Sequence, residues 1–188
     1  MTDILHQISF AILIFGAVLA LIIGVERFIF ASVNLDTAKK CIVQLEKTPT
    51  EQLHLPRNNV VTKMLHELDA ILASGLSESV KIGRADAAYL IARDALFKRL
   101  WILETIVTAA PLLGLLGTIF GIVDTFLALS KSGMSDPSGV SAGIGTALYA
   151  TALGISVALI GILGFNYLND RNERICEYLK VLILRKSN

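Results

Sequence analysis

IVTAAPLLGLLGTIFGIVDTFLAL (Ile106–Leu129) and VSAGIGTALYATALGISVALIGILGFNYL (Val140–Leu168) are two apolar segments that follow each other closely in this chain. Asp124 is the one charged residue of the first segment, and the second has none. A hydrocarbon core about 30 Å thick needs roughly 20 helical residues, so each segment is long enough to span it. Residues 130–139 between them are rich in Gly and Ser and contain a proline, which is typical of an exposed turn. The pair therefore predicts a membrane-spanning helical hairpin.

Small residues recur along both segments at offsets of three and four. Such spacing places them on one face of each helix, where short side chains let two backbones approach closely. We therefore expect these helices to pack against other helices as well as against lipid. The glycines to which we assign this packing role are Gly114, Gly117, Gly121, Gly143 and Gly154.

A third apolar segment lies near the beginning of the chain. Ile8–Val25 carries no charge and is long enough to span a bilayer. A cleaved signal peptide is the competing interpretation, but Lys and Arg are missing before the segment and no clear small-x-small site ends it. We therefore predict a retained first helix. Glu26 and Arg27 follow it, either as interfacial charges that anchor the helix or as a specific contact with a neighbouring helix.

The chain thus divides into three predicted membrane spans and the polar segments around them. The spans are residues 8–30, 105–129 and 140–168, and the polar segments are residues 1–7, 31–104, 130–139 and 169–188. Most Lys and Arg residues lie in 31–104 and 169–188, whereas Lys131 is alone in the turn. This asymmetry predicts that the two basic segments are cytoplasmic and that the N-terminus and the turn are outside. The predicted class is an all-α membrane protein, N-out and C-in.

Helical patterns also run through the cytoplasmic segment 31–104. Thr48–Glu51 has the form of a capping box that starts a short helix. An apolar stripe at helical spacing over Val60–Leu72 predicts a second helix, with Gly75 suited to its C-terminal cap. From Glu78 a further helix is expected to continue without a break into the membrane at Trp101. The tail after Leu168 keeps a helical pattern as well.

Several classes of function find no support in the composition. The net charge of +1 lacks the basic excess of a nucleic-acid-binding protein. Cys41 and Cys176 stand in no Cys-x-x-Cys or Cys/His cluster, so we predict two free thiols and no metal. No nucleophile and base pair or phosphate loop is visible, so we predict neither a cofactor nor an enzymatic activity.

Polar side chains at membrane depth are the informative ones. Hydroxyls in such helices most often bond to their own backbone or to a neighbouring helix, but several on two helices could also line a shared ion path. They are Thr118 and Thr125 in the first segment, and Thr146, Thr151 and Ser156 in the second. Asp124 should face protein or water because a carboxylate is costly in lipid. With Thr125, it is either an outer gate or an interfacial residue reached by water.

The same residues carry a resemblance to a known family. TAAPLLGLLGTIFGI at 108–122, with GI at 143–144 and ALYATALG at 147–154, resembles the ExbB/TolQ/MotA proton-channel family. Glu26 and Arg27 at the end of the first span match its ExbB/TolQ branch, as does the short three-span length. The resemblance covers the three spans well and the cytoplasmic segment only loosely.

This resemblance implies a subunit of a motor in the bacterial inner membrane. Five copies would form a homopentameric ring around a central pore that holds the single-span helices of two ExbD-like or TolR-like proteins. The partner's membrane aspartate takes up protons, and the resulting rotation is passed to a TonB-like or TolA-like protein. Thr118 and Thr151 match the family's pore-facing threonines.

One position departs from the family pattern. Many relatives carry a glutamate where this chain has Thr146, which leaves sodium coupling open beside proton coupling. TonB-linked transport, TolQ-like envelope maintenance and a gliding-type motor are all compatible with the sequence. A passive membrane scaffold explains the small-residue faces equally well. A stand-alone transporter has less support because no inverted repeat is visible.

Overall fold

The computed structural model describes residues 2–45, 59–132 and 137–187, and the regular elements in these ranges are all α-helices. They are α1 (Thr2–Leu45), α2 (Val60–Ala73), α3 (Glu78–Phe97), α4 (Leu100–Ser132) and α5 (Pro137–Ser187). The predicted all-helical class is confirmed. The expected capping box at Thr48–Glu51 and the centre of the predicted turn lie outside the described residues.

Three of these helices contain stretches that are long and apolar enough to cross a membrane. Within the described ranges the stretches are Gln7–Val43 of α1, Leu100–Ser130 of α4 and Ser138–Lys186 of α5. Many large apolar side chains on them are exposed in the single chain, as expected for surfaces that face lipid or other subunits. The chain is therefore a multi-pass membrane protein, as the sequence predicted.

The chain forms two compact units. The hairpin unit comprises the residues up to Gly24 together with Trp101–Phe165. It therefore contains the first half of α1, nearly all of α4 and the first part of α5. The four-helix unit comprises Val25–Leu100 and the residues from Asn166 onward. It is built from the second half of α1, from α2 and α3, and from the last part of α5.

The four-helix unit has an apolar core to which all four of its helices contribute. The core residues are Leu35, Ala38 and Cys41 of α1, Val61, Met64 and Leu65 of α2, Ala92 and Leu96 of α3, and Ile175, Cys176, Leu179 and Leu182 of α5. The stripe predicted for α2 faces this core. Both cysteines are buried and free, as expected. Burial also raises the pKa of the nearby Tyr89 phenol above its usual value.

Amide side chains fix the beginning of α2 against α1. The Asn34 side chain is buried, and its Oδ1 accepts a hydrogen bond from the Val60 backbone N–H at 3.1 Å. Asn59 caps α2 by accepting from the Val61 N–H at 3.0 Å, and its Nδ2 donates to Thr37 Oγ1 on α1 at 2.7 Å. These bonds satisfy helix N-terminal N–H groups that would otherwise lack a partner.

The prediction that α3 runs without a break into α4 is wrong. Helix α3 ends at Phe97, α4 begins at Leu100, and Arg99 between them has a left-handed backbone with φ 69°. Two tertiary contacts stabilise the break. Asn172 Nδ2 donates to the Leu96 carbonyl at 3.0 Å, and Arg99 Nη1 lies 2.9 Å from each carboxylate oxygen of Glu26. Local helical periodicity carries no information about either contact.

Candidate functional site

Helices α4 and α5 come into backbone contact at two glycines. A Cβ atom placed on Gly154 would lie 2.5 Å from the Ala110 carbonyl oxygen, and one placed on Gly114 would lie 2.8 Å from the Ala150 oxygen. Side chains essentially never approach backbone atoms so closely, so larger residues would separate the helices. The two glycines therefore set the distance between α4 and α5.

Small residues continue this contact along both helices. We call the whole line of contacts the α4–α5 seam. A Cβ on Gly117 would meet the Ala150 Cβ at 3.1 Å, one on Gly161 would meet Val107 Cγ2 at 2.6 Å, and one on Gly143 would meet the Thr125 side chain. Partners earlier in α4 pair with partners later in α5, so the helices are antiparallel. Glycine supplies van der Waals contact here without relying on the burial of large side chains, as in many membrane helix pairs.

Two threonines exchange hydrogen bonds across the middle of the seam. The Thr118 hydroxyl reaches the Ala147 carbonyl oxygen on α5 at 3.0 Å, and the Thr151 hydroxyl reaches the Gly114 carbonyl oxygen on α4 at 3.1 Å. The two hydroxyls also contact each other. The Thr118 hydroxyl thus reaches the carbonyl four residues before Thr151, and the Thr151 hydroxyl reaches the carbonyl four residues before Thr118. The structure brings together the two residues that the family motif singled out.

This arrangement has more acceptors than protons. Each hydroxyl has a single proton, while Thr118 also lies 3.2 Å from the Gly114 carbonyl oxygen of its own helix. The two protons can therefore be distributed over the carbonyl and hydroxyl oxygens in more than one way. Thr118 is only 9% exposed and Thr151 is half-buried. Within one chain, both hydroxyls serve the contact between α4 and α5, and their roles in an ion path stay predictions.

The other predicted site residues occupy different surroundings. Thr146 lies on the exposed side of α5, and its hydroxyl donates to the Ala142 carbonyl of its own helix at 2.9 Å. Thr125 is half-buried, donates to the Gly121 carbonyl at 2.8 Å and contacts Gly143. Asp124 is half-buried and also takes part in a polar or electrostatic interaction. The structure thus places Thr125 in the seam and Thr146 outside it.

The charged pair near the end of the first predicted span belongs to the four-helix unit. Glu26 forms a bidentate ion pair with Arg99, and Arg27 Nη2 lies 3.9 Å from the same carboxylate. Arg27 is 5% exposed, and its guanidinium lies 4.9 Å from the centre of the Phe30 ring. Glu26 thus makes a specific contact with Arg99 in the α3–α4 break, and its role as an interfacial anchor stays a prediction.

The sequence reasoning missed two residues, one in each unit. Arg99 was counted as a basic residue only, because nothing in its neighbours signals a left-handed backbone. Tyr149 was passed over inside the ALYATALG motif, although a phenol in a span of small and aliphatic residues is a recognisable signal. It is 72% exposed in the structure. Among the described residues, His, Cys, Asp and Glu side chains form no group of three that could hold a metal.

The part of the chain that contains the α4–α5 seam matches a known protein family. The model of the MotA/TolQ/ExbB proton channel family matches residues 56–180, which include all of α2, α3 and α4 and most of α5. The biopolymer transport protein ExbB of Aquifex aeolicus is 41% identical over 73 residues, which cover 39% of this chain and 49% of that protein. ExbB of Helicobacter pylori is 37% identical over 87 residues, which cover 46% of this chain and 60% of that protein. A putative ExbB homologue from Methanothermobacter thermautotrophicus is 34% identical over 120 residues, which cover 59% of this chain and 42% of that protein. The chain matches about half the length of these curated relatives.

Proposed function

Because the chain belongs to the MotA/TolQ/ExbB proton channel family, we propose that it forms the ring of an ion-driven complex in the bacterial inner membrane. In this proposal five copies surround a pore that holds two single-span partner chains of the ExbD or TolR type. The complex uses the proton motive force to energise a TonB-like or TolA-like protein, and the chain catalyses no chemical reaction of its own. The names of the relatives, which are biopolymer transport proteins, favour the ExbB-like form over a TolQ-like role in envelope maintenance.

The observation that carries the proposal is the hydroxyl pair in the α4–α5 seam. Thr118 and Thr151 lie inside the part of the chain that matches the family, and each bonds to a carbonyl of the opposite helix. Polar groups at membrane depth are tolerated when they pair inside the protein or line a water-filled cavity. A pair with more acceptors than protons can exchange partners when a charged group approaches it. This property suits a surface past which a titrating group moves.

A second chain has to supply that titrating group. The predicted spans 105–129 and 140–168 contain one ionisable carboxylate, Asp124, close to the outer end of α4. Thr146 stands where many relatives have a glutamate, so the ring lacks an acid there as well. Membrane carboxylates normally mark the proton relay of a pump. We therefore assign the proton-binding step to an acidic side chain of the single-span partner, and we keep sodium as the alternative coupling ion.

The proposed orientation follows from the basic residues. Segments 31–104 and 169–188 hold most of the Lys and Arg residues and are assigned to the cytoplasm. The turn between α4 and α5 is then periplasmic, so Asp124 and Thr125 lie towards the periplasmic end of the pathway. This places them where an outer gate would be needed. The Thr118 and Thr151 pair lies deeper in the membrane.

A passive scaffold is the second candidate. It is favoured by one specific observation, namely that the seam satisfies the Thr118 and Thr151 hydroxyls within a single chain. In that case the hydroxyls only hold α4 and α5 together, and ion flow is irrelevant. The two candidates therefore differ in whether loss of a hydroxyl changes transport more than it changes assembly.

The test uses the complex with its single-span partner, purified in mild detergent and reconstituted into liposomes. The native mass is measured first, and a ring of five with two partner chains is expected. Proton uptake driven by an imposed membrane potential is then compared for the wild type and the variants Thr118→Val and Thr151→Val. Valine keeps the shape of threonine but removes the hydroxyl. We expect both variants to assemble and to lose most of the proton flux.

Thr108→Val is the matched control. Thr108 lies on α4 like Thr118 but is exposed, and its hydroxyl reaches only carbonyl oxygens of its own helix, at 3.0 and 3.1 Å. This variant should keep the wild-type flux. If the wild-type complex carries no ion flux, or if both seam variants conduct normally, the motor proposal is wrong and the scaffold is preferred. A flux of sodium in place of protons would keep the motor and change the ion.

A further inference from the structure

Three hydroxyl-bearing residues share the exposed side of α5 inside the hairpin unit. Tyr149 follows Thr146 by three residues, and Ser156 follows Tyr149 by seven, which places the three within about 80° of one another around the helix. All three are exposed in the single chain. This polar line is separate from the α4–α5 seam, in which the Thr118 and Thr151 hydroxyls already have partners.

The phenol of Tyr149 differs from the other two hydroxyls. Thr146 donates to the Ala142 carbonyl at 2.9 Å, and Ser156 donates to the Ala152 carbonyl at 2.8 Å. Short side chains can satisfy themselves in this way on their own helix, even where the surroundings are lipid. The oxygen of Tyr149 is at the end of a rigid ring that points away from the backbone. Among the described residues it has no hydrogen-bond partner, so this phenol requires one from water or from a neighbouring chain in the assembly.

The depth of Tyr149 makes this requirement strict. With a rise of 1.5 Å per residue, its backbone lies about 13 Å along α5 from Val140, where the predicted span begins. Tyrosines of membrane proteins are concentrated at the two interfaces, where the phenol reaches water. Tyr167, near the other end of the same span, fits that pattern because its ring stacks on Phe28 and lies under the Arg171 guanidinium. Among the described residues, none makes such a contact with the Tyr149 ring.

We infer that Tyr149 faces the ion pathway of the assembled complex and donates a hydrogen bond to an acceptor in it. The chemistry of that acceptor is an oxygen with a free lone pair, from either a water molecule or a carboxylate of the partner helix. The inference rests on the proposed function, since only a complex with an ion pathway offers such an acceptor at this depth. It adds an ion-pathway residue on the exposed side of α5 to the threonines that the motif suggested.

The first test removes only the oxygen atom of the side chain. In the reconstituted complex, Tyr149→Phe should lower the proton flux about tenfold, which corresponds to the loss of one hydrogen bond to a charged or strongly polar acceptor. The native mass of the complex should not change, because the ring and its packing are retained. Tyr167→Phe is the control on the same helix and should keep the wild-type flux.

The second test asks directly whether position 149 meets water. Tyr149→Cys should react with a membrane-impermeant thiol reagent, and the reaction should block the flux. Ile155→Cys is the matched control, because Ile155 is also exposed but lies about 120° away around α5. It should stay unlabelled in lipid. The native Cys41 and Cys176 are buried and give a low background.

The two sources of the acceptor give different labelling patterns, and both agree with the inference. Labelling of Tyr149→Cys that is equal with and without the partner chain indicates water. Labelling that the partner suppresses indicates contact with the partner helix, and replacing the acid of that helix by its amide should then remove the effect of Tyr149→Phe.

The inference is overturned if the wild-type complex conducts while Tyr149→Phe conducts equally well. It is also overturned if the two cysteine variants label alike in the absence of the partner chain. A wild-type complex that fails to conduct overturns the proposed function itself.

Discussion

The hairpin unit and the four-helix unit hold their helices together by different means. In the hairpin unit, α4 and α5 touch mainly through glycines, alanines and threonine hydroxyls, and most of the large apolar side chains point outward. In the four-helix unit, leucine, isoleucine, valine and methionine side chains fill a common core. Burial of apolar surface drives association only where the alternative is water, because lipid solvates a leucine as well as a protein interior does. The difference therefore indicates two solvents along a single chain.

The polar contacts follow the same division. In the α4–α5 seam they are hydroxyl bonds to carbonyls that already accept within a helix. In the four-helix unit they are amide and guanidinium bonds that satisfy helix ends, as Asn59 does for α2 and Asn172 does for α3. Helix ends need such partners where helices begin and end inside a folded domain. A helix that passes through a membrane has its ends outside the bilayer. The α4–α5 seam therefore contains no helix ends that need such partners.

The largest effect is expected from the core of the four-helix unit. Leu179 is completely buried among four helices, so Leu179→Ala should lower the free energy of unfolding by about 3 kcal/mol, through lost burial and a residual cavity. The measurement is denaturant unfolding of the detergent-solubilised protein. Leu184→Ala is the control on the same helix, since Leu184 is 64% exposed, and its effect should stay within about 0.5 kcal/mol. Equal losses in both variants would contradict a core that is stabilised by the burial of apolar side chains away from water.

The α4–α5 seam should be destabilised by an added atom, whereas the core of the four-helix unit is destabilised by the removal of atoms. Gly154→Ala places a Cβ 2.5 Å from the Ala110 carbonyl oxygen, and overpacking of this kind costs about 2 kcal/mol. Gly164→Ala on the same helix meets nothing within 4 Å and should be neutral, or stabilising by up to about 1 kcal/mol through helix propensity. Unfolding by SDS titration in mixed micelles measures both. If Gly154→Ala were as harmless as Gly164→Ala, the close backbone contact would be wrong.

The sequence was sufficient for those parts of the fold that depend on periodicity and length. The three apolar stretches, the small-residue faces of α4 and α5, and the core face of α2 all follow from residue spacing, because a helix repeats every 3.6 residues. Thr118 and Thr151 were identified from a motif, and the structure places them opposite each other. In these cases the local pattern and the tertiary contact carry the same information.

The remaining features depend on contacts between residues far apart in the chain. Arg99 lies in a segment whose helical pattern is uninterrupted, and its left-handed backbone is held by Glu26 and by the capping of α3 from Asn172. The choice of carbonyl by each seam threonine likewise depends on the register between α4 and α5. The exposure of Tyr149 depends on which side of α5 faces α4. Spacing within one helix cannot provide any of these.

The α3–α4 break offers a smaller test within the four-helix unit. Arg99→Ala removes the ion pair with Glu26 but keeps a side chain on a left-handed backbone, whereas Arg99→Gly removes the pair and relieves the backbone. Glycine should therefore be more stable than alanine at this position by about 1 kcal/mol. The half-exposed ion pair itself contributes about 1 kcal/mol or less. Denaturant unfolding of the two variants measures the difference, and alanine as stable as glycine would exclude the left-handed conformation.

The smallest effect on stability is expected for Thr118→Val, the variant with the largest expected effect on ion flux. Hydrogen bonds between membrane helices contribute about 0.6 kcal/mol on average, because the separated helices also find partners for their polar groups. The hydroxyl of Thr118 can be lost at little cost, since the Ala147 and Gly114 carbonyls already accept bonds within their helices. The same SDS titration should thus show a loss below about 1 kcal/mol, well under that of Gly154→Ala. A loss of 2 kcal/mol or more would make the hydroxyl pair a structural element, and a fall in flux could then no longer be attributed to the ion path.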